Sequence, residues 1–88
     1  MKIKQGFVLR EVAGSYMVIG IGSRMHDFNG VITLSGSGAM LWKELEKGAS
    51  KEELVSFLLN EYEVDTATAD KDVSAFLEKL ESINVLED

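Results

Sequence analysis

The hydrophobic positions in the first third of the chain follow the two-residue period of β-strands. Residues 7–12 and 16–21 are rich in β-branched and aromatic side chains, and residues 13–15 between them have the composition of a tight turn. Residues 30–34 form a third short apolar run, which is reached through the polar loop 22–29. We therefore expect a hairpin followed by a third strand.

After Leu34 the hydrophobic period lengthens to that of an α-helix. A first helix is expected over residues 37–47, with a glycine as its stop signal, and a capping box at residues 50–53 predicts a second helix. Asp65 can cap a third helix. The apolar stripe of this third helix consists of Ala69, Val73, Phe76, Leu77 and Leu80. Three strands followed by three helices indicate an α+β fold, with the helices packed on one face of a three-stranded antiparallel sheet.

The composition adds limits to this fold. The chain has 88 residues, 45% of them hydrophobic and 27% charged, which fits a single globular domain spanning residues 1–88. The absence of cysteine excludes disulfides, zinc–thiolate sites and thiol nucleophiles. The sequence shows neither a signal peptide nor an apolar stretch of about 18 residues, so we expect a cytoplasmic protein without a membrane partner.

The run Ser-Gly-Ser-Gly at residues 35–38 lies between a predicted strand and a predicted helix, where many proteins bind phosphate. The lysine of a phosphate-binding loop is missing, because Lys43 lies too far along the helix. Residues 20–25 begin like a dinucleotide-binding fingerprint, but no parallel βαβ unit surrounds them. We expect Ser35 or Ser37 to cap the helix and the two glycines to turn the chain.

The remaining polar residues do not assemble a catalytic or metal site. His26, beside Asp27, is the only histidine, and a general base needs a positioned partner. Asp65, Asp70 and Asp72 lack the spacing of a calcium loop and instead suit the first turns of a helix. We therefore predict no catalytic residue, no metal ligand, no cofactor and no enzyme activity.

The third strand carries the strongest indication of function. Residues 31–34 contain none of the lysines or prolines that usually protect a sheet edge. Two outcomes stay open: the strand pairs internally or is covered by a helix, or its free edge binds an extended peptide by strand addition. A proline at Ile32 would remove a ladder donor and would test the second outcome. Trp42 lies on the apolar stripe of the first helix, which favours a core role over a ligand platform.

These residues together resemble the PqqD-like family, named for the pyrroloquinoline-quinone biosynthesis protein D. The resemblance rests on a leucine, a polar turn, a small residue and an aliphatic–tryptophan pair, here Leu34, residues 35–38, Ala39 and residues 41–42. Further matches are Gly48, Ser50, Glu53, Tyr62, Asp72, Val73, Phe76, Leu77 and Leu80. The resemblance covers nearly the whole chain from Gly6 onward, although the family often has Asn, Glu or Thr where this turn has two glycines.

The resemblance implies a winged-helix-like fold and a recognition element for ribosomally made peptides that are later modified. Such domains bind the leader segment of a precursor peptide as an added strand beside the third strand, over a groove walled by the third helix. They present it to a separate tailoring enzyme, which is a radical S-adenosylmethionine enzyme or, in lasso-peptide systems, a leader peptidase. The peptide-binding residues implied for this chain are Val31, Ile32, Thr33, Leu34, Val73, Phe76, Leu77 and Leu80. Some of the four helix residues belong to the core, and the sequence does not separate them from groove residues.

Two other functions stay open at the level of sequence. A winged-helix fold also suits a DNA-binding regulator, but acids outnumber bases around the third helix, and the formal net charge of −6 disfavours nucleic acid as a partner. The same strand edge can instead pair with, or swap into, a second copy of the chain, which would make the protein a self-associating module or homodimer.

Overall fold

The computed structural model describes residues 1–22 and 31–87. His26, Asp27 and most of the predicted loop around them lie outside the described residues, as does Gly30. The strands of the described part are β1 (Lys2–Ile3), β2 (Phe7–Val12), β3 (Ser15–Gly20), β4 (Val31–Leu34) and β5 (Leu86–Glu87). Its helices are α1 (Gly36–Lys47), α2 (Lys51–Glu61) and α3 (Thr66–Ser82).

β2, β3 and β4 form an antiparallel sheet with β3 at its centre. The β2–β3 hairpin turns at Ala13 and Gly14, whose φ angles of 52° and 81° are the pair of positive values that a type I′ turn requires. Val18 on β3 lies opposite Leu9 and Ile32 and is fully buried, so this is the face of the sheet that packs against the helices. The predicted α+β fold is confirmed.

A second sheet, which the hydrophobic pattern does not predict, joins the two ends of the described chain. β1 pairs antiparallel with β5, and the backbone N–H of Lys4 donates to the Val85 carbonyl at 2.9 Å. Ile3 and Val85 are both buried in the core. Strands of two residues are too short to show a periodicity of their own, so pairing with distant residues decides their conformation.

Each helix begins at a side-chain cap. Ser35 Oγ accepts a hydrogen bond of 3.1 Å from the backbone N–H three residues later, and α1 begins one residue earlier than predicted. Ser50 and Glu53 form the predicted capping box of α2. Asp65 caps α3, as predicted, by accepting from the Thr68 N–H at 2.7 Å. Hydrogen bonds from the side chain and backbone of Thr68 lower the pKa of the Asp65 carboxyl below its ordinary value of 3.8.

The hydrophobic core lies between the helices and the inner face of the sheet. Its largest fully buried side chains are Trp42, Leu45, Leu54, Leu80, Val18, Val73 and Val85. Trp42 is a core residue, as predicted, and its Nε1 donates to Glu46 Oε2 at 3.2 Å. The predicted apolar stripe of α3 is buried along its whole length. Across the described ranges, no helix has the length and apolar character needed to span a membrane.

Candidate functional site

β4 forms one edge of the three-stranded sheet. Its residues pair antiparallel with β3, with Ile32 opposite Val18 and Thr33 opposite Met17, and Val31 pairs with Ile19. On the other side of β4, the described residues provide no strand. One side of β4 therefore pairs internally and the other side is a sheet edge, at which strand addition by an extended chain stays a prediction.

Thr33 presents its backbone polar groups to this free edge. Lys79 Nζ, on α3, donates to the Thr33 carbonyl oxygen at 3.3 Å. Since α3 lies outside the sheet, we infer that this carbonyl points away from β3. Residues along an antiparallel strand alternate in the direction of their polar groups, so those of Ile32 point towards β3. A proline at Ile32 would therefore break the β3–β4 ladder, and Thr33 is the position that tests strand addition.

The side chains of β4 alternate between the core and the outer face. Leu34 is buried, and Ile32 is half-buried against the core. Thr33 is exposed on the opposite face. An added strand would accordingly meet the backbone of Thr33 and the outer margins of two core side chains. The edge of β4 therefore offers mainly backbone hydrogen bonds and only a small apolar surface.

A groove of about 360 Å³ extends from the end of β4 between α1 and α3. Its apolar lining consists of Leu34, Leu41, Leu58, Ala75 and Phe76. Serine side chains from the start of α1 form part of its margin. The groove begins where β4 ends, so a chain that paired with β4 and continued past Leu34 would reach it. This arrangement provides both a backbone template and a side-chain pocket.

Two opposite charges flank the groove. Asp72 and Lys79 both line it from α3 and are seven residues apart, which is about two helical turns. Within the described ranges neither forms an ion pair, whereas Lys47 pairs with Glu44 and Lys51 pairs with Asp70. The groove therefore has a cationic end near β4 and an anionic end further along.

The four α3 residues named from the sequence occupy different environments. Val73 and Leu80 are fully buried core residues, and Leu77 is 7% exposed and does not line the groove. Phe76 is 9% exposed and lines the groove. Full burial leaves Val73 and Leu80 no surface for a peptide in this structure, and neither lines the groove.

The pattern of apolar residues misses the groove positions that are small or polar. On α3 these are Asp72, Ala75 and Lys79, which share one helix face with Phe76 because they are spaced three, four and seven residues apart. These groove residues form a second stripe on α3 beside the apolar core stripe. Because the second stripe mixes polar and apolar side chains, it has no hydrophobic period that could reveal it in the sequence. No cluster of acids or histidines in the described part of the chain is arranged to hold a metal ion.

The two glycines of the run at residues 35–38 do not turn the chain, and the prediction that they do is wrong. Gly36 and Gly38 lie inside the first turn of α1, and neither has a positive φ. Gly38 is buried against α3: a Cβ there would lie 3.5 Å from Phe76 Cε1 and 3.3 Å from Ser35 Oγ. Its lack of a side chain therefore keeps the end of the groove open.

Known proteins match this chain over the edge strand β4 and the groove-lining helices. The profile of Coenzyme PQQ synthesis protein D (PqqD) matches residues 8–86. None of the curated proteins matches the sequence. A solved structure of TbiB1 in complex with the TbiA(beta) leader peptide is 28% identical, with a TM-score of 0.78 over 99% of this chain and 95% of that chain.

A lasso peptide synthetase B1 complexed with the leader peptide has the same fold, at 18% identity and a TM-score of 0.76 over 99% of this chain and 96% of that chain. The edge strand β4 and the helices that line the groove all fall within the segment matched by the family profile. Because that profile spans nearly the full length, the chain belongs to the PqqD family.

Proposed function

We propose that this protein is a non-catalytic adaptor that binds the leader segment of a ribosomally synthesised precursor peptide. The leader adds to the sheet as a strand along β4 and places side chains in the groove between α1 and α3. The observation that carries the proposal is the free edge of β4 opening directly into that groove. The 28%-identical TbiB1, which was solved with a leader peptide, supports the same use of this fold.

The adaptor delivers the leader to a separate tailoring enzyme, either a radical S-adenosylmethionine enzyme or a leader peptidase of the lasso type. The polar margin of the groove consists of the capping Ser35, the neighbouring Ser37 and two charges, Asp72 and Lys79, that form no ion pair with the described residues. Such a site can hold and orient a peptide, and the chemistry belongs to the partner enzyme.

The direct test is a titration with the leader encoded beside this gene, labelled with a fluorophore and followed by anisotropy. We expect saturable binding to the wild-type protein and a loss of binding in Thr33→Pro, because proline removes the outward N–H of the edge. The residue before a proline must be extended, and Ile32 already is, so the fold tolerates this change.

Thr33→Val is the matched control, since it keeps the N–H and the β-branched shape, and it should bind the leader like the wild type. Ile32→Pro should instead destabilise the whole sheet, because its N–H faces β3. Leader binding that survives in a folded Thr33→Pro variant would refute strand addition at β4.

The same edge is available to a second copy of the chain. A leader and a second copy would compete for the same polar groups of Thr33, so any dimer formed through β4 should dissociate when the leader is added. Sedimentation velocity with and without leader distinguishes the two uses of the edge.

A further inference from the structure

Lys79 is the only lysine of α3 that reaches the sheet in the described structure. Its ammonium donates to the Thr33 carbonyl at 3.3 Å, across 46 positions of sequence. Lys71, the other lysine of α3, is exposed, does not line the groove and makes no hydrogen bond or ion pair with the described residues. The contact with Thr33 is therefore specific to the position of Lys79 at the end of β4.

This contact occupies the acceptor that an added strand needs. Strand addition pairs the N–H of the incoming chain with an outward carbonyl of β4, and the Thr33 carbonyl is such a group. At 3.3 Å the bond is long for N–H···O geometry, and both partners are exposed, so its net contribution is small and it exchanges readily. A bound peptide can thus replace it at little cost.

Sheet edges are commonly protected by lysines within the edge strand, and β4 has none. Lys79 supplies that protection from α3 instead. Once an incoming strand takes the Thr33 carbonyl, the ammonium is left beside the peptide without an anionic partner among the described residues. A carboxylate is the peptide group that would best replace the lost acceptor, because it adds an opposite charge to the hydrogen bond.

The other charge of the groove fixes where that carboxylate lies. Asp72 lines the groove about two turns before Lys79, so it repels an acidic side chain at its own end and leaves the β4 end as the favourable place. Lys79 is the only cation among the described residues that line the groove. An acidic residue of the leader at the β4 end of the groove therefore has Lys79 as its cationic partner.

We propose that Lys79 closes the free edge of β4 in the unbound protein and, when the leader displaces it, pairs with an Asp or Glu side chain of the leader that lies beside Thr33. This inference rests on the proposed leader-binding function. It assigns Lys79 two successive partners: the Thr33 carbonyl before binding and a peptide carboxylate after it.

The test uses the labelled leader encoded beside this gene and a set of variants in which each Asp or Glu is replaced singly by its amide. Each peptide is titrated against the wild type, Lys79→Met and the control Lys71→Met, which removes the same charge elsewhere on α3. One amide replacement should weaken binding to the wild type and to Lys71→Met by about two- to fivefold, and should have no effect on Lys79→Met. High salt should remove the difference.

If every amide replacement changes the affinity of the wild type and of Lys79→Met by the same factor, the pairing is refuted while leader binding itself stands. If the leader does not bind the wild type at all, the proposed function fails, and the pairing fails with it.

A measurement without peptide tests the contact between Lys79 and Thr33: the NMR signal of the Thr33 carbonyl carbon should shift in Lys79→Met but not in Lys71→Met. An unchanged Thr33 signal in Lys79→Met would overturn the closure.

Discussion

At the scale of single residues, the β2–β3 turn contains a side chain in a backbone conformation that favours glycine or asparagine. Ala13 has a φ of 52° and precedes Gly14, at the position where type I′ turns prefer the pair Asn-Gly. The alanine side chain makes no interaction that offsets the energy cost of this left-handed conformation. An asparagine side chain can hydrogen-bond to the nearby backbone and tolerates the conformation better.

We therefore expect Ala13→Asn to raise the free energy of unfolding by about 0.5–1 kcal/mol. The measurement is urea denaturation followed by the fluorescence of Trp42, which is fully buried in the folded protein. Ala67→Asn is the control, because Ala67 is exposed in helix α3, where asparagine is a poorer helix former than alanine. An equal gain in both variants would show that turn conformation is not the cause.

Gly36 and Gly38 lie in the same turn of α1 but differ in the space around them. Neither has a positive φ, so alanine fits the backbone at both positions and should favour the helix. At Gly36 a Cβ meets nothing within 4 Å, whereas at Gly38 it lies 3.3 Å from the capping Ser35 Oγ. Space, and not backbone conformation, separates the two.

We expect Gly36→Ala to stabilise the protein by about 0.4–1 kcal/mol. Gly38→Ala should show little or no gain, because the Ser35 cap must shift to make room, and it should also weaken leader binding because its methyl group enters the groove beside Phe76. Urea denaturation and leader titration of the two variants provide the comparison. A Gly38→Ala protein as stable as Gly36→Ala, with undiminished affinity, would contradict this account of the groove.

At the scale of elements, the sequence predicts the strands and helices that have a hydrophobic period or a capping residue. The three strands of the main sheet, the helices and their caps at Ser50 and Asp65 follow from local patterns and appear in the structure. The β1–β5 pairing does not, because two-residue strands are selected by distant contacts such as that of Lys4 with Val85. Local patterns also misplaced the two glycines, whose helical position is fixed by the cap at Ser35.

The candidate site divides along the same line. A strand at residues 31–34 could be predicted, whereas its free edge was one of two open outcomes, and its outward-facing residue depends on the register with β3. Phe76 could be predicted as a groove residue only as one of a set, since burial in three dimensions separates it from Val73 and Leu80. Lys79 carries no hydrophobic signal, and its contact with Thr33 appears only once α3 is placed beside β4.

At the scale of the whole molecule, charge separates the proposed function from the DNA-binding alternative. The formal net charge is −6, and α3, which would be the reading helix, exposes more acids than bases. Its exposed acids are Asp70, Asp72, Glu78 and Glu81, and its exposed bases are Lys71 and Lys79. Affinity for duplex DNA depends largely on protein cations that neutralise the phosphates. The excess of acids on α3 repels those phosphates instead.

We expect no binding to duplex DNA even at low salt, where an electrostatic contribution would be greatest. The measurement is anisotropy of a labelled duplex titrated with the protein, and the leader titrated into the same preparation is the control for active protein. A variant with Asp70, Asp72, Glu78 and Glu81 changed to lysine should bind the duplex in a salt-dependent manner, which shows that the assay detects this helix. Binding of the wild type that falls steeply with added salt would favour the regulator, since phosphate contacts require it.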